Sequence, residues 1–379
     1  MTGPLNGIRA IEMSHMVMGP SCGMFLTQLG AEVIKVEPPE GDKTRKLTGM
    51  GAAFFPVFNR GKRSVVLDLK TEQGIASLRK LLSTADIFIE NFRDGALDRL
   101  GLSVSELRNK FPRLIIASHK GFLSGPYEHR PALDEVVQMM SGLAYMTGPK
   151  GQPLRVGSSA NDIMGGMHGA LSIMAAILER QQSEEGKHIR VGLFENSLLM
   201  VAQHMVQYDL TGIEPPPMPD RDFSWPVYDI FETKDGQQVF VGVVTETQWG
   251  DFCREFEITE LSEDSRLPNQ VARINARPWT IPIVSRYLAQ YEEESLIEKL
   301  ERLGLPWSSI KRPAEMYDDP HVNRPGGLVE SSLPDGRRFR TPAMPVEYDG
   351  QPVQGELDLP ALGADTDRIL AELAKLDSD

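Results

Sequence analysis

Cysteine is nearly absent from this chain: Cys22 and Cys253 are the only two in 379 residues. So far apart, they supply neither a disulfide framework nor metal-ligand spacing, and they fit a reducing compartment. No apolar run approaches a membrane span, and MTGPLNGIRAIEMS lacks the basic region and apolar core of a secretory leader, so a cytoplasmic protein with no membrane partner is expected. The seven histidines are scattered without HExxH or a comparable pattern, and no metal is predicted. Positive charge is in deficit too: a formal net charge of −13 argues against a nucleic-acid partner. Local clusters such as Lys43/Arg45 and Lys62/Arg63 could still recruit an anionic ligand, although most such clusters are solvated surface.

The length is enough for two domains, and hydrophobic and charged contents of 41% and 25% are those of an ordinary globular protein. Short β-branched runs at 8–13, 32–36, 64–67, 87–90, 114–118 and 188–193 alternate with helical patterns at 22–29, 72–82, 104–110, 133–145, 163–181 and 195–209. That rhythm predicts an α/β fold with a parallel, doubly wound sheet. TGIEPPPMPDRD, residues 211–222, reads as a linker after a large first domain of residues 1–210. Beyond it, YDIFETKDGQQVFVGVV predicts a β-hairpin, helical periodicity covers 249–256 and 278–303, and together residues 223–319 read as a smaller α+β domain. Residues 320–379 then carry short strands and an amphipathic helix at 365–376 that returns to the large domain.

The most informative stretch is SANDIMGGMHGALSIMAAILERQ, in which Asp162 and a glycine-rich turn open a long apolar helix. Aspartate is favoured as a helix N-cap, and on pattern alone capping is the commoner role. The same carboxylate can be a nucleophile: an ordinary aspartate is ionised at neutral pH and attacks an activated acyl group without a partner base. Gly165 and Gly166 would leave room for a bulky substrate near backbone N–H groups at the positive helix end. The turn after the first strand, SHMVMGPSCG, lacks GxGxxG, so the usual dinucleotide fingerprint is missing. Residues at the carboxyl ends of strands should line the cleft, which draws in 15–19, 91–93 and 119–122.

Seven segments in order, MGPSCGMFLTQLGAEVIKVEPPEGD, FNRGKRSVVLDLKT, DIFIENFRDGALDRLGL, ASHKGF, LDEVVQMMSGLAYMTG, SANDIMGGMHGALSIMAAIL and a W..FC…DSRL..N..R..N pattern from Trp249, resemble the class III CoA-transferase family over nearly the whole chain. The resemblance implies a Rossmann-like large domain plus a smaller α+β domain, in a homodimer of interlocked rings. It implies coenzyme A as substrate, carried by an acyl-CoA donor and passed to an organic acid acceptor. Asp162 matches the family's catalytic aspartate. Val17 and Met18, the stretch Leu67, Asp68, Leu69 and Lys70, the segment Asn91, Phe92 and Arg93, and Arg99 match positions that meet CoA, with Leu133 and Asp134 at the active site.

Departures from the formyl-CoA transferase branch bear on the substrate. Val17 stands where that branch has glutamine, Pro38 where it has arginine and Leu133 where it has tyrosine, and no glycine-rich loop is visible at VVTETQWGDF. A pocket lined by Met16, Val17 and Met18 would suit a larger or less polar acyl group than oxalate or formate. Two other readings stand beside the transferase. An α-methylacyl-CoA racemase of the same superfamily needs a histidine where this chain has PALDEVV. A non-catalytic acyl-CoA-binding protein would show no adduct at Asp162.

Overall fold

The computed structural model describes residues 3–353 and 357–375. Six strands, β1 (Arg9–Met13), β2 (Glu32–Glu37), β3 (Arg63–Val66), β4 (Ile87–Glu90), β5 (Ile115–Lys120) and β6 (His188–Gly192), form one wholly parallel sheet in the order β3-β2-β1-β4-β5-β6. Both faces are buried because side chains alternate along each strand. Ile11, Ile34, Phe88 and Ile116 pack under the helices Glu72–Ser83 and Val104–Lys110. Ala10, Val33, Ile89 and Ala117 face the helices Met18–Gln28 and Ala160–Ser183. The strand order reverses between β1 and β4, so a crevice opens at their carboxyl ends.

Two helices expected to be continuous are broken. The 133–145 segment is Asp134–Ser141 followed by Leu143–Thr147, because Gly142 at φ 88 stops the first helix in the left-handed region. The 278–303 segment is Arg277–Leu288 and Glu293–Arg302. The long helix starts at Ala160, three residues before the expected 163, and runs to Ser183.

The chain falls into two compact units, one of Met1–Asp220 with Pro320–Asp379, the other of Arg221–Asp319. The second holds the antiparallel strands β7 (Val227–Glu232), β8 (Gln238–Val243) and β9 (Trp307–Ser309) over a core of Trp249, Phe252, Phe256, Leu288 and Leu300. In the first, the C-terminal helix Thr366–Lys375 places Ile369 and Leu373 in the same core as Leu78 and Leu81. Leu376, the expected end of that helix, lies outside the described residues. No described helix is long and apolar enough to cross a membrane.

Candidate active site

Asp162 is not the N-cap of its helix. Ser159 is, and its side chain makes no capping bond. Capping comes from another helix: Asp134 Oδ2 accepts the backbone N–H of Asn161 at 3.0 Å and that of Asp162 at 3.3 Å. Relieved of capping, the Asp162 carboxylate forms no hydrogen bond or ion pair among the described residues. Burial first, and the Asp134 carboxylate second, push it up to about 7, against the pull of Arg155. A helix start favours an anion by only ~0.3–1 kcal/mol, whereas each unit of such a shift is worth ~1.4 kcal/mol, so burial dominates. Asp162 is therefore only partly ionised at neutral pH, unlike the ordinary aspartate that composition suggests.

A polar network fixes the approach to this helix. Gln138 Nε2 donates to Asp134 Oδ1 at 2.5 Å, and Gln138 Oε1 accepts Val156 N–H at 2.8 Å. Arg155 Nη2 donates to Asp134 Oδ1 at 3.3 Å and to the Ser158 carbonyl at 3.0 Å, while Nη1 lies 3.6 Å from Glu135.

Gly165 and Gly166 sit beyond the first helical turn, past the N–H groups that a helix start leaves free. They make no room for substrate: a Cβ on Gly166 would lie 2.7 Å from Cys22 N and 2.8 Å from the Met18 carbonyl and would strike Ser21 Oγ. Gly169 likewise admits the buried His119 ring, with Cys22 Sγ 3.0 Å from where its Cβ would be. These glycines let Met18–Gln28 and Ala160–Ser183 approach closely, and Ser21 Oγ donates to the Asp162 carbonyl at 3.3 Å. Gly166→Ala is expected to cost ~1–3 kcal/mol of stability by overpacking. Urea unfolding reads it, and an unchanged midpoint would contradict the packing role.

The turn from β1 into the Met18 helix lies at the point of strand reversal and is held by side chains from four directions. Lys35 Nζ donates to the Ser14 carbonyl at 2.6 Å. Asn91 accepts His15 N–H at 3.0 Å and donates to its carbonyl at 2.8 Å. Thr44 Oγ1 accepts Met16 N–H at 3.2 Å, and Lys62 Nζ donates to the Pro20 carbonyl at 2.9 Å. Such restraint keeps Met16 at φ 64, which is costly for any residue with a Cβ. Beneath the turn Glu12, Lys35 and Lys62 are buried, with Lys62 Nζ 2.6 Å and Lys35 Nζ 3.4 Å from Glu12 and Lys35 3.0 Å from Asp42. Lys62 is thus a core cation and not a surface phosphate contact. Arg45 is likewise engaged, paired with Glu37 at 2.7 Å.

A cavity of about 500 Å³ opens at the carboxyl ends of β1–β4, lined in part by Leu67, Asp68, Leu69, Lys70 and Phe92. A neighbouring cavity of about 280 Å³ adds His15, Lys35 and Lys43. Asn91 acts at this crevice by fixing His15. The remaining expected contacts are placed elsewhere. Val17 and Met18 point into the core, Val17 against Ile163 and Met18 against Phe122 and Val137, since apolar side chains at a tight turn are drawn under the helix they begin. Only Met16 of that trio is exposed, which removes the expected Met/Val lining. Arg93 lines a separate polar cavity of about 220 Å³ with Lys120 and Arg190. Arg99 is exposed outside these linings, and Leu133 is an exposed N-cap. Asp162 lines none of the three cavities; its carbonyl meets Ser21 of the Met18 helix, which follows the β1 turn that lines the 280 Å³ cavity.

Arg155 and Gln138 escape sequence reasoning, being one loop arginine and one helical glutamine without motif spacing. Lys120, within the cleft stretch 119–122, donates to the Phe92 carbonyl at 2.8 Å and steadies the 91–93 segment. Among the described residues no group of three His, Cys, Asp or Glu is placed to hold a metal ion.

The family model described as CoA-transferase family III matches residues 5–366. A succinate–glutarate CoA-transferase of Agrobacterium fabrum is 33% identical, with 99% of this chain and 96% of that protein covered. An acetyl-CoA:oxalate CoA-transferase of Acetobacter aceti is 32% identical over 92% of this chain and 90% of its own. Among solved structures, a CAIB/BAIF family protein from Brucella suis superposes with a TM-score of 0.90 at 30% identity, covering 98% of this chain and 100% of that one. A near-complete match to the family and full-length relatives whose names are those of CoA-transferases lead to one assignment: the chain belongs to CoA-transferase family III.

Proposed function

We propose that the protein moves CoA from an acyl-CoA donor to an organic acid through covalent intermediates on Asp162. The observation that carries this reading is the Asp162 carboxyl itself, half-buried at the first turn of a docked helix and left without a hydrogen-bond partner among the described residues. A carboxylate so placed is poorly solvated, and loss of solvation makes an anion a better nucleophile.

Asp162 attacks the donor thioester carbon, giving an aspartyl–acyl mixed anhydride and CoA thiolate. The thiolate attacks the aspartyl carbonyl, releasing the donor acid as carboxylate and leaving an aspartyl-CoA thioester. The acceptor carboxylate attacks that thioester to form a new anhydride and free thiolate once more. Attack of the thiolate on the acceptor acyl carbon regenerates Asp162. Each step exchanges one activated acyl bond for another, so no external energy source is needed. The 500 Å³ cavity with Leu67–Lys70 and Phe92 suits the nucleotide end of CoA. Since relatives are named for succinate, glutarate and oxalate, short dicarboxylic acids are the first acceptors to try. Incubation with succinyl-CoA, hydroxylamine trapping and peptide mass spectrometry should give a hydroxamate at Asp162. No adduct with any donor would leave only a binding protein.

The active form is, on this reading, a cytoplasmic homodimer. Met167, Leu171 and Leu178 are exposed apolar side chains on the Asp162 helix, and Leu199, Val206 and Leu210 are exposed on Leu193–Thr211. Exposed apolar groups of this kind mark interaction surfaces, and a second copy of the chain is the occupant. Light scattering should give twice the chain mass, and a monomer at micromolar concentration would contradict it.

A further inference from the structure

Among the charged groups close to Asp162, two belong to no step of the transfer. Asp134 is buried and its carboxylate is fully used: Oδ1 accepts from Gln138 and Arg155, and Oδ2 from the backbone of Asn161 and Asp162. Arg155 is the cation of this group: it reaches Asp134, Glu135 and the carbonyls of Val156 and Ser158, and its one contact outside, among the described residues, is a weak one to Met50 Sδ at 4.0 Å. Bringing a second carboxylate, Asp162, beside Asp134 is costly unless a cation is shared between them.

We propose that Asp134 and Arg155 are positioning residues for the transfer: Asp134 docks the first turn of the catalytic helix through two N–H groups, and Arg155 supplies the countercharge that lets Asp162 ionise next to it. The inference rests on Asp162 being the nucleophile only for its kinetic consequence. Among the described residues, the other elements packed on this helix turn present no charge to Asp162. Met18–Gln28 contributes Met18, Ser21 and Cys22, whose thiol is driven up by burial and stays protonated. Leu193–Thr211 offers Asn196, bonded to His168, and β5 offers His119, which burial pulls down to about 4 and leaves neutral. The direction of the Asp162 shift, up by burial and by Asp134 and down by Arg155, agrees with this arrangement.

The test titrates Asp162 directly by ¹³C NMR of carboxyl-labelled aspartate in the full-length protein, its signal assigned by loss in Asp162→Asn. Arg155→Met should raise the midpoint by about one unit, which at pH 7 takes the carboxylate from about half of the molecules to about a tenth, roughly fivefold less. Asp134→Asn, which retains an acceptor oxygen for the helix N–H groups, should lower it by a similar amount, and Arg155→Lys should restore most of the parent value. In single turnover with succinyl-CoA, hydroxamate formation by Arg155→Met should be depressed at pH 7 and recover by pH 8.5, which a merely structural defect would not do. Midpoints unmoved in both Arg155→Met and Asp134→Asn would overturn the inference. If Arg155→Met fails to fold, Asp134→Asn and Arg155→Lys decide. Midpoints that move as stated while no variant or parent forms an adduct would sustain the electrostatic arrangement and remove the nucleophile instead.

Discussion

Asp162→Ala is expected to lower CoA transfer at least ~10³-fold, since loss of a covalent nucleophile costs several orders of magnitude. CoA binding should persist, because the cavity residues Leu67–Lys70 and Phe92 do not touch the change. Equal transfer rates in parent and variant would take Asp162 out of the reaction. Asp162→Asn adds a second readout, in stability. The folded carboxyl titrates near 7 against an ordinary value of 3.8. Between those values the native state holds a proton that the unfolded chain has lost, so stability falls as pH rises through the window and is lowest above it. Asparagine escapes that loss. The variant should therefore match the parent near pH 4 and exceed it at pH 8 by on the order of 2 kcal/mol, the full shift being discounted for partial solvent access. Urea unfolding at the two pH values measures the difference, and a variant less stable at pH 8 would contradict the burial cost. Such a site trades stability for reactivity.

The second large effect is expected at Glu12, which touches no substrate. Its carboxylate is buried between Lys62 Nζ at 2.6 Å and Lys35 Nζ at 3.4 Å. Glu12→Ala would strand Lys62, whose other contacts are the Pro20 carbonyl and the Asn59 side chain, whereas Lys35 keeps Asp42. Breaking a buried pair on one side costs ~3–5 kcal/mol, a large part of the 5–15 kcal/mol that holds a typical domain folded. Chemical denaturation should show that loss, and a change below ~1 kcal/mol would mean that water reaches the site. Because the same lysines hold the carbonyls of Ser14 and Pro20, any folded fraction should bind CoA poorly.

The sheet was legible because each strand is a short apolar run and each face is read by alternation. Ile11 and Ala10, neighbours in sequence, end in different cores. The crevice followed from the strand order rule, and Leu67–Lys70 and Phe92 line a cavity there. The start of the Asp162 helix was not legible, because its cap is supplied by Asp134 across space rather than by the residue preceding it. Nor were Glu12, Lys35 and Lys62, since lysine and glutamate carry a prior of exposure and only their mutual neutralisation, with Gly23 making way for the Glu12 carboxylate, admits them to the core. Gly165 and Gly166 show the same limit. Small residues at a catalytic helix suggest space for a ligand, and here the space belongs to a neighbouring helix.

Both thiols are shut away: Cys22 lies between the two helices at Gly169, and burial pushes Cys253 up to about 12. Neither offers a thiolate to a disulfide or maleimide reagent at neutral pH. A thiol-sensitive dye added to the native enzyme will therefore colour with liberated CoA alone, and hydrolytic leakage from the aspartyl intermediates can be followed continuously against a silent protein background.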